Sequence, residues 1–167
     1  MPYKNKTFVS FDGDTDIRYY RLMQAWKQND GLDFNFYDAH DLNYARDSSL
    51  ESSIKSQLAE RLRNSRLFVL LIGEKTRYLQ KFVRWEIEQA IASDLPIIGV
   101  NLNGRRAMDP ERCPTVLQAA LAVHVSFNMA IVQHAMDNWP SSHLQNRTAS
   151  KSGPFYYAES VYNDLRL

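Results

Sequence analysis

The chain has 167 residues, a length that suits one domain with its own hydrophobic core but not two of ordinary size. Hydrophobic residues make up 44% of it and charged residues 23%, which is typical of a soluble globular protein. The formal net charge of +1 argues against binding to nucleic acid through phosphate electrostatics, so we expect no nucleic-acid partner.

The single cysteine, Cys113, excludes an internal disulfide and fits a reducing compartment. The longest apolar run, Leu67–Ile72, is far shorter than the roughly 20 residues of a membrane-spanning helix. The first apolar run is too short for the core of a signal peptide. We therefore expect a cytoplasmic protein without a membrane partner. The four histidines show no metal-ligand spacing, which predicts no metal site.

Short apolar runs predict five strands separated by helices. The predicted strands are 7–11, 32–37, 67–72, 96–100 and 123–127. The predicted helices are 16–27, 50–62, 78–93 and 129–139, the last of them ended by Pro140. Apolar strands that alternate with helices indicate a parallel sheet covered on both faces.

Right-handed crossovers then favour an α/β three-layer sandwich with strand order 2-1-3-4-5. Ligands of such sheets bind beyond the carboxyl ends of the strands, where the order reverses between strands 1 and 3. The segments to consider are 11–15, 38–46 and 73–86. We expect residues 1–167 to form a single domain. Within it, 141–167 is an extension made of a polar loop to Gly153 and a terminal helix over Phe155–Leu165.

The loop after strand 1 carries three alternating acids, Asp12, Asp14 and Asp16. An EF-hand calcium loop is excluded, because Ile17 stands where it needs glycine and Met23 where it needs glutamate. A strand followed by Asp-x-Asp is also found in haloacid-dehalogenase-type phosphatases, although no convincing downstream lysine and paired acids follow here. A third interpretation is that Asp14, Thr15 or Asp16 caps the first helix.

The third predicted helix contains Glu86 at the margin of its apolar face. At 100° per residue, the buried face is formed by Val83, Ile87, Ala90 and Ile91, and Glu88 points into solvent. A half-buried carboxylate near a cleft is a candidate site residue. The alternative is a structural boundary residue paired with Arg84. The spacing alone leaves both open.

Four segments, taken in their order and spacing, resemble the TIR-like proteins of bacterial Thoeris anti-phage defence. These are Phe8–Phe11 followed by acids, Phe36–Asp38, Phe68–Gly73 and Arg84–Ile87, and the resemblance covers roughly 6–101. It implies a flavodoxin-like fold. It also implies an enzyme that uses NAD⁺ as substrate, needs no cofactor and cleaves the bond between nicotinamide and ribose. The product is then an ADP-ribose-derived signal, often a cyclic isomer, for a separate effector protein.

The resemblance assigns the catalytic role to Glu86. Phe11 and Asp12 are then expected at the floor of the substrate cleft and Phe82 at its wall. Many TIR enzymes have Trp one turn before the catalytic Glu, where this chain has Phe82, which keeps an aromatic wall but loses the indole N–H. Asn43 and Arg46 are expected in a loop that closes over the substrate.

Two other functions remain open. TIR-like domains also act as non-catalytic assembly modules, in which case substitutions in 38–46 would break self-association and Glu86 would be dispensable. A phosphatase would instead require Asp12 and Mg²⁺.

Overall fold

The computed structural model describes residues 6–29, 35–38 and 51–167. The strands are β1 Lys6–Ser10, β2 Asn35–Asp38, β3 Leu67–Ile72, β4 Ile97–Asn101, β5 Ala122–Ser126 and β6 Pro154–Tyr156. The helices are α1 Ile17–Asn29, α2 Glu51–Arg63, α3 Val83–Ala92, α4 Thr115–Gln118, α5 Met129–Thr148 and α6 Glu159–Asp164, with a 3₁₀ turn at Thr76–Tyr78.

These strands form one sheet in the order β2-β1-β3-β4-β5-β6, and every neighbouring pair is parallel. The predicted parallel α/β architecture is confirmed. The predicted number of five strands is wrong, because a sixth strand pairs with β5. The order of the chain reverses between β1 and β3, which lie side by side. We call the side on which the strands end the carboxyl edge, and the opposite side the amino edge.

Strand β3 lies at the centre of the sheet, and all six of its residues are buried. Its side chains alternate between two hydrophobic clusters: Phe68, Leu70 and Ile72 pack on one face, and Leu67, Val69 and Leu71 pack on the other. This alternation follows from the two-residue period of a strand. A continuous apolar run is therefore needed to fill both faces, as the sequence predicts.

Helices cover both faces of the sheet. One face packs against the apolar sides of α2, α3 and α4, and the other packs against α1, α5 and α6. The buried side of α3 is formed by Val83, Ile87 and Ala90, as its helical spacing predicts. Ile91 departs from that prediction, since it is 39% exposed. In the part of the chain that is described, no helix combines the length and apolar character that a membrane span requires.

Helix α5 continues through Pro140 to Thr148, so the predicted end at Trp139 and the predicted loop from Ser141 are wrong. Proline inside a helix removes one backbone hydrogen bond. Trp139 on one side of Pro140 and His143 on the other are both buried, and Trp139 also packs against Phe155 of β6. Burial of these large side chains offsets the cost of the proline.

The terminal segment also differs from the predicted single helix over Phe155–Leu165. Strand β6 begins at Pro154, and α6 covers only Glu159–Asp164. Pro154 is the first residue of this strand at the end of the described sheet, a position where a missing N–H is tolerated.

Helix α3 begins five residues later than predicted, at Val83 instead of Tyr78. The hydroxyl of Thr76 accepts a hydrogen bond from the backbone N–H of Gly73 at 2.9 Å and holds the chain in a tight turn after β3. The 3₁₀ turn follows, and Leu79 leaves the helical region with φ −85° and ψ 81°. The helix can therefore start only after the chain has turned back over the sheet.

Candidate functional site

Two buried carboxylates follow β1 at the carboxyl edge, where the strand order reverses. Asp12 and Asp16 are both buried. The carboxylate of Asp12 accepts a hydrogen bond from the backbone N–H of Asp14 at 3.1 Å. The backbone carbonyl of Asp12 accepts another from the backbone N–H of Asp16 at 2.8 Å. These bonds form a compact turn between β1 and α1. The reversal point of such a sheet is where ligands bind.

Asp16 lies against the backbone at the end of β3. A β-carbon added to Gly73 would stand 2.2 Å from Oδ2 of Asp16, so only glycine leaves room for this carboxyl group. Burial, reinforced by the negative charge of Asp12, raises the pKa of Asp16 from 3.8 to about 6. Oδ2 of Asp16 has no hydrogen-bond partner among the residues that the structure describes.

The prediction that the side chain of Asp14, Thr15 or Asp16 caps α1 is wrong. Within 6–29, 35–38 and 51–167, the side chains of Asp14, Thr15 and Asp16 make no capping hydrogen bond, and the carboxyl group of Asp16 lies at Gly73 instead. A buried carboxyl group with a raised pKa at the switch point is a feature of functional sites. The sequence signal for it is the combination of an acid after β1 and a glycine directly after β3.

Glu86 lies in the first turn of α3, the helix that returns from the carboxyl end of β3. It is only 1% exposed, which is deeper than the half-buried position that helical spacing predicts. Helical spacing predicts the direction in which a side chain points, but its burial also depends on the segments that pack over it. The N-terminal turn of a helix carries partial positive charge, and Glu86 belongs to that turn.

The alternative in which Glu86 pairs with Arg84 is wrong, because Arg84 bonds to other side chains. Nε of Arg84 donates to Glu88 at 2.9 Å, and Nη1 of Arg84 donates to Gln80 at 2.9 Å. This network lies on the solvent side of α3, since the side chains of Arg84 and Glu88 are 49% and 43% exposed. The neighbouring Trp85 has Lys55 over its ring, with 5.5 Å between Nζ and the ring centroid.

The structure places the two predicted aromatic site residues on opposite faces of the sheet. Phe11 stacks on Tyr20 at a ring distance of 4.8 Å, in the cluster beneath α1 and α5. Phe82 packs in the other cluster, at the start of α3. Phe11 is therefore part of the core under α1, and it does not face Phe82 across a common cleft.

Phe82 also lines a cavity of about 360 Å³ between the 3₁₀ turn and α3. Tyr78, Leu79 and Lys81 line it as well, and the ring of Tyr78 is exposed. This places an open apolar cavity one helical turn before Glu86. The predicted residues Asn43 and Arg46 lie outside the described residues.

The chemistry available at this edge is that of carboxylates. Asp16 changes its protonation near pH 6, and Glu86 is buried at a helix N-terminus. Buried carboxylates of this kind can stabilise positive charge that develops on a bound molecule, or accept hydrogen bonds from its hydroxyl groups. In the described part of the chain, no three His, Cys, Asp or Glu side chains are grouped closely enough to hold a metal ion.

A known protein family matches more than half of this chain. The family model described as "Thoeris protein ThsB, TIR-like domain" matches residues 8–107, which span β1 to the segment after β4 and include Asp12, Asp16, Gly73 and Glu86. No curated protein matches the chain.

Proposed function

Because the chain belongs to the family of Thoeris ThsB TIR-like domains, we propose that it cleaves NAD⁺ between nicotinamide and ribose to make an anti-phage signal. Glu86 is the catalytic carboxylate in this proposal. The observation that carries it is the place of Glu86, buried in the first turn of α3 at the edge of the sheet where ligands of this architecture bind.

The chemistry suits a carboxylate without a separate general acid. Nicotinamide in NAD⁺ is a cationic leaving group, so its departure as a neutral molecule needs no proton. Cleavage builds positive charge on the ribose, as it does in the breaking of other glycosidic bonds. A carboxylate placed beside the ribose can stabilise that charge. Removal of such a preorganised electrostatic group typically costs a factor of about 100–1,000 in rate.

Asp12 and Phe82 complete the proposed site on its polar and apolar sides. Asp12 lies at the switch point and is available to orient hydroxyl groups of the substrate. Phe82 provides a wall beside the cavity that precedes Glu86. Asn43 and Arg46 stay proposed members of a closing loop. The contribution of Phe11 is indirect, since it packs on Tyr20 beneath this edge.

The product in this proposal is an ADP-ribose derivative. Water attacking the ribose gives linear ADP-ribose, whereas attack by a hydroxyl or ring nitrogen of the same molecule gives a cyclic isomer. A site that excludes water favours the second outcome. The product then carries the signal to a separate effector protein, and self-association of the TIR-like domain accompanies activation.

The depth of Glu86 has a consequence for regulation. A side chain that is 1% exposed cannot meet a dinucleotide until a neighbouring segment moves. We therefore expect low basal turnover, which increases when a phage component or high protein concentration favours the open state.

The test is a mass-spectrometric assay of NAD⁺ incubated with the purified chain, at low and high protein concentration and with lysate from phage-infected cells. The proposal predicts nicotinamide and an ADP-ribose-derived product in equal amounts. Intact NAD⁺ under every condition, together with concentration-dependent self-association, would instead identify an assembly module.

A further inference from the structure

The loop after β4 carries a guanidinium group to the turn after β3. Nη2 of Arg112 lies 3.5 Å from Oε1 of Glu74, the residue that follows Gly73. A second contact joins the same two segments, because the guanidinium of Arg77 donates to the backbone carbonyl of Glu111. These two segments therefore meet at the carboxyl edge, and Arg112 lies at their contact.

A buried carboxylate fixes the backbone that carries Arg112. Asp109 is 2% exposed. Its Oδ1 accepts hydrogen bonds from the backbone N–H of Glu111 at 2.9 Å and from that of Arg112 at 3.2 Å. Its Oδ2 accepts one from Nδ2 of Asn103 at 2.8 Å. A side chain on a fixed backbone loses less freedom when it binds a ligand, so Arg112 is preorganised for binding.

Arg112 lies at the switch point, on the face of the sheet that α3 covers. The next residue, Cys113, packs in the same hydrophobic cluster as Phe82. Burial is the main cause of the raised pKa of Asp16, and the positive charge of Arg112 acts against it and lowers that pKa. The guanidinium is therefore near enough to the acids of this edge to change their electrostatics.

A second cation near Asp16 points in a different direction. The positive charge of Arg18 also acts on Asp16. The guanidinium of Arg18 lies over the ring of Tyr19, 4.9 Å from its centroid, and donates to the hydroxyl of Tyr19 at 3.3 Å. Tyr19 packs against the cluster beneath α1 and α5. Arg18 is therefore directed to the other face of the sheet, which makes it a matched control for Arg112.

The proposed site needs positive charge, since it is rich in acids. Asp12, Asp16 and Glu86 lie at this edge, and they repel a substrate that carries two phosphate charges. A guanidinium binds phosphate through two parallel N–H donors, which a lysine cannot offer. Glu74 is a weak competitor for Arg112, because its side chain is 73% exposed and an ion pair this open to solvent contributes little.

We propose that Arg112 binds the diphosphate of NAD⁺ and thereby positions the substrate at the carboxyl edge. This inference rests on the proposed cleavage of NAD⁺ and assigns the anionic part of that site. In the free chain, Glu74 holds the guanidinium in place. The diphosphate replaces Glu74 when the substrate binds, and the fixed loop after β4 keeps Arg112 in position.

The test is isothermal titration calorimetry of the chain with ADP-ribose, which carries the diphosphate but has no nicotinamide to release. We expect Arg112→Ala to weaken binding at least about tenfold, the effect of losing one charge-assisted hydrogen bond. Arg112→Lys keeps the charge without the paired donors and should restore only part of the affinity. Arg18→Ala, the matched control, should bind within about twofold of wild type.

Glu74→Gln distinguishes substrate binding from a structural role of the ion pair. If the pair only held the two segments together, loss of either partner would weaken binding. The proposal expects opposite signs, because Glu74→Gln removes the carboxylate that competes with phosphate. It should tighten ADP-ribose binding about two- to fivefold, and this gain should disappear in the Arg112→Ala background.

The nicotinamide-release assay adds a kinetic readout. Arg112→Ala should raise KM for NAD⁺ about tenfold and leave kcat within about threefold of wild type. The proposal is overturned if wild type does not bind ADP-ribose, if Arg112→Ala and Arg18→Ala bind it alike, or if Glu74→Gln weakens binding as Arg112→Ala does. Failure of the proposed function gives a different result: no condition yields nicotinamide, while Arg112→Ala still lowers the affinity for ADP-ribose. That result removes the cleavage and keeps the diphosphate site.

Discussion

Oδ2 of Asp16 occupies the space that a β-carbon on Gly73 would need, with 2.2 Å between the two positions. The loop between β1 and α1 therefore packs directly against the turn after β3. This contact holds the switch point of the sheet in one geometry, next to the helix that carries Glu86.

Gly73→Ala is expected to destabilise the protein by about 1–3 kcal/mol, because the added methyl group displaces the carboxyl group of Asp16. The same substitution in an Asp16→Ala background should cost much less, since the clashing atoms are gone. Urea unfolding of the four proteins in this double-mutant cycle measures the coupling. Equal costs in both backgrounds would mean that the two residues do not constrain each other.

The raised pKa of Asp16 predicts a pH dependence of stability. The pKa of Asp16 is about 6 in the folded state, and its ordinary value is 3.8. Between these two pH values its carboxyl group is therefore protonated in the folded state and mostly ionised in the unfolded state. The folded state then binds more protons than the unfolded state, so stability falls as pH rises from about 4 to about 6. Asp16→Asn should remove this loss. The free energy of unfolding of Asp16→Asn, measured with urea, should therefore rise relative to that of wild type by about 1–3 kcal/mol as pH increases from 4 to 7. A constant difference across this range would contradict the assignment.

His124 predicts the opposite slope. It is fully buried in β5, and burial lowers its pKa from 6.5 to about 4. Between these values the unfolded state binds the extra proton, so stability falls as pH drops from about 6.5 to about 4. His124→Leu should flatten this part of the profile. The check is unfolding of the variant over the same pH series, and an unchanged acid slope would show that His124 is not its source.

Pro140 is expected to limit the stability of α5. Pro140→Ala restores a backbone N–H that can bond to the carbonyl one turn earlier, so we predict a gain of about 1–3 kcal/mol in the free energy of unfolding. Ser141→Ala, at the next and exposed position of the helix, serves as the control and should change stability by less than about 0.5 kcal/mol. A loss of stability in Pro140→Ala would show that the proline is required by the packing around Trp139.

The sequence predicts the central elements of the fold well. The run Leu67–Ile72 is bounded correctly, because a strand buried on both faces must be apolar throughout. The buried face of α3 follows from its helical period. These features depend on local pattern, which is why one sequence is enough to predict them.

Features that depend on tertiary contacts are missed. The passage of α5 through Pro140 requires the burial of Trp139 and His143, and β6 requires the open edge of β5. The opposite faces taken by Phe11 and Phe82 follow from strand alternation and helix placement together. The sequence predicts Asp16 as one of three candidate caps on α1, but its contact with Gly73 joins residues 57 positions apart. The predicted strand order already makes β1 and β3 neighbours, but it does not show that the carboxyl group of Asp16 fills the space beside Gly73.

The most direct test of the proposed function compares Glu86→Gln with Glu88→Gln in the nicotinamide-release assay, under the condition that gives the highest wild-type activity. The two variants remove the same charge from the same helix, but Glu86 is buried, whereas the side chain of Glu88 is 43% exposed and bound to Arg84. We predict a loss of at least about 100-fold for Glu86→Gln and activity within about twofold of wild type for Glu88→Gln. Circular dichroism and unfolding curves should show both variants folded. Full activity in a folded Glu86→Gln protein would contradict the account.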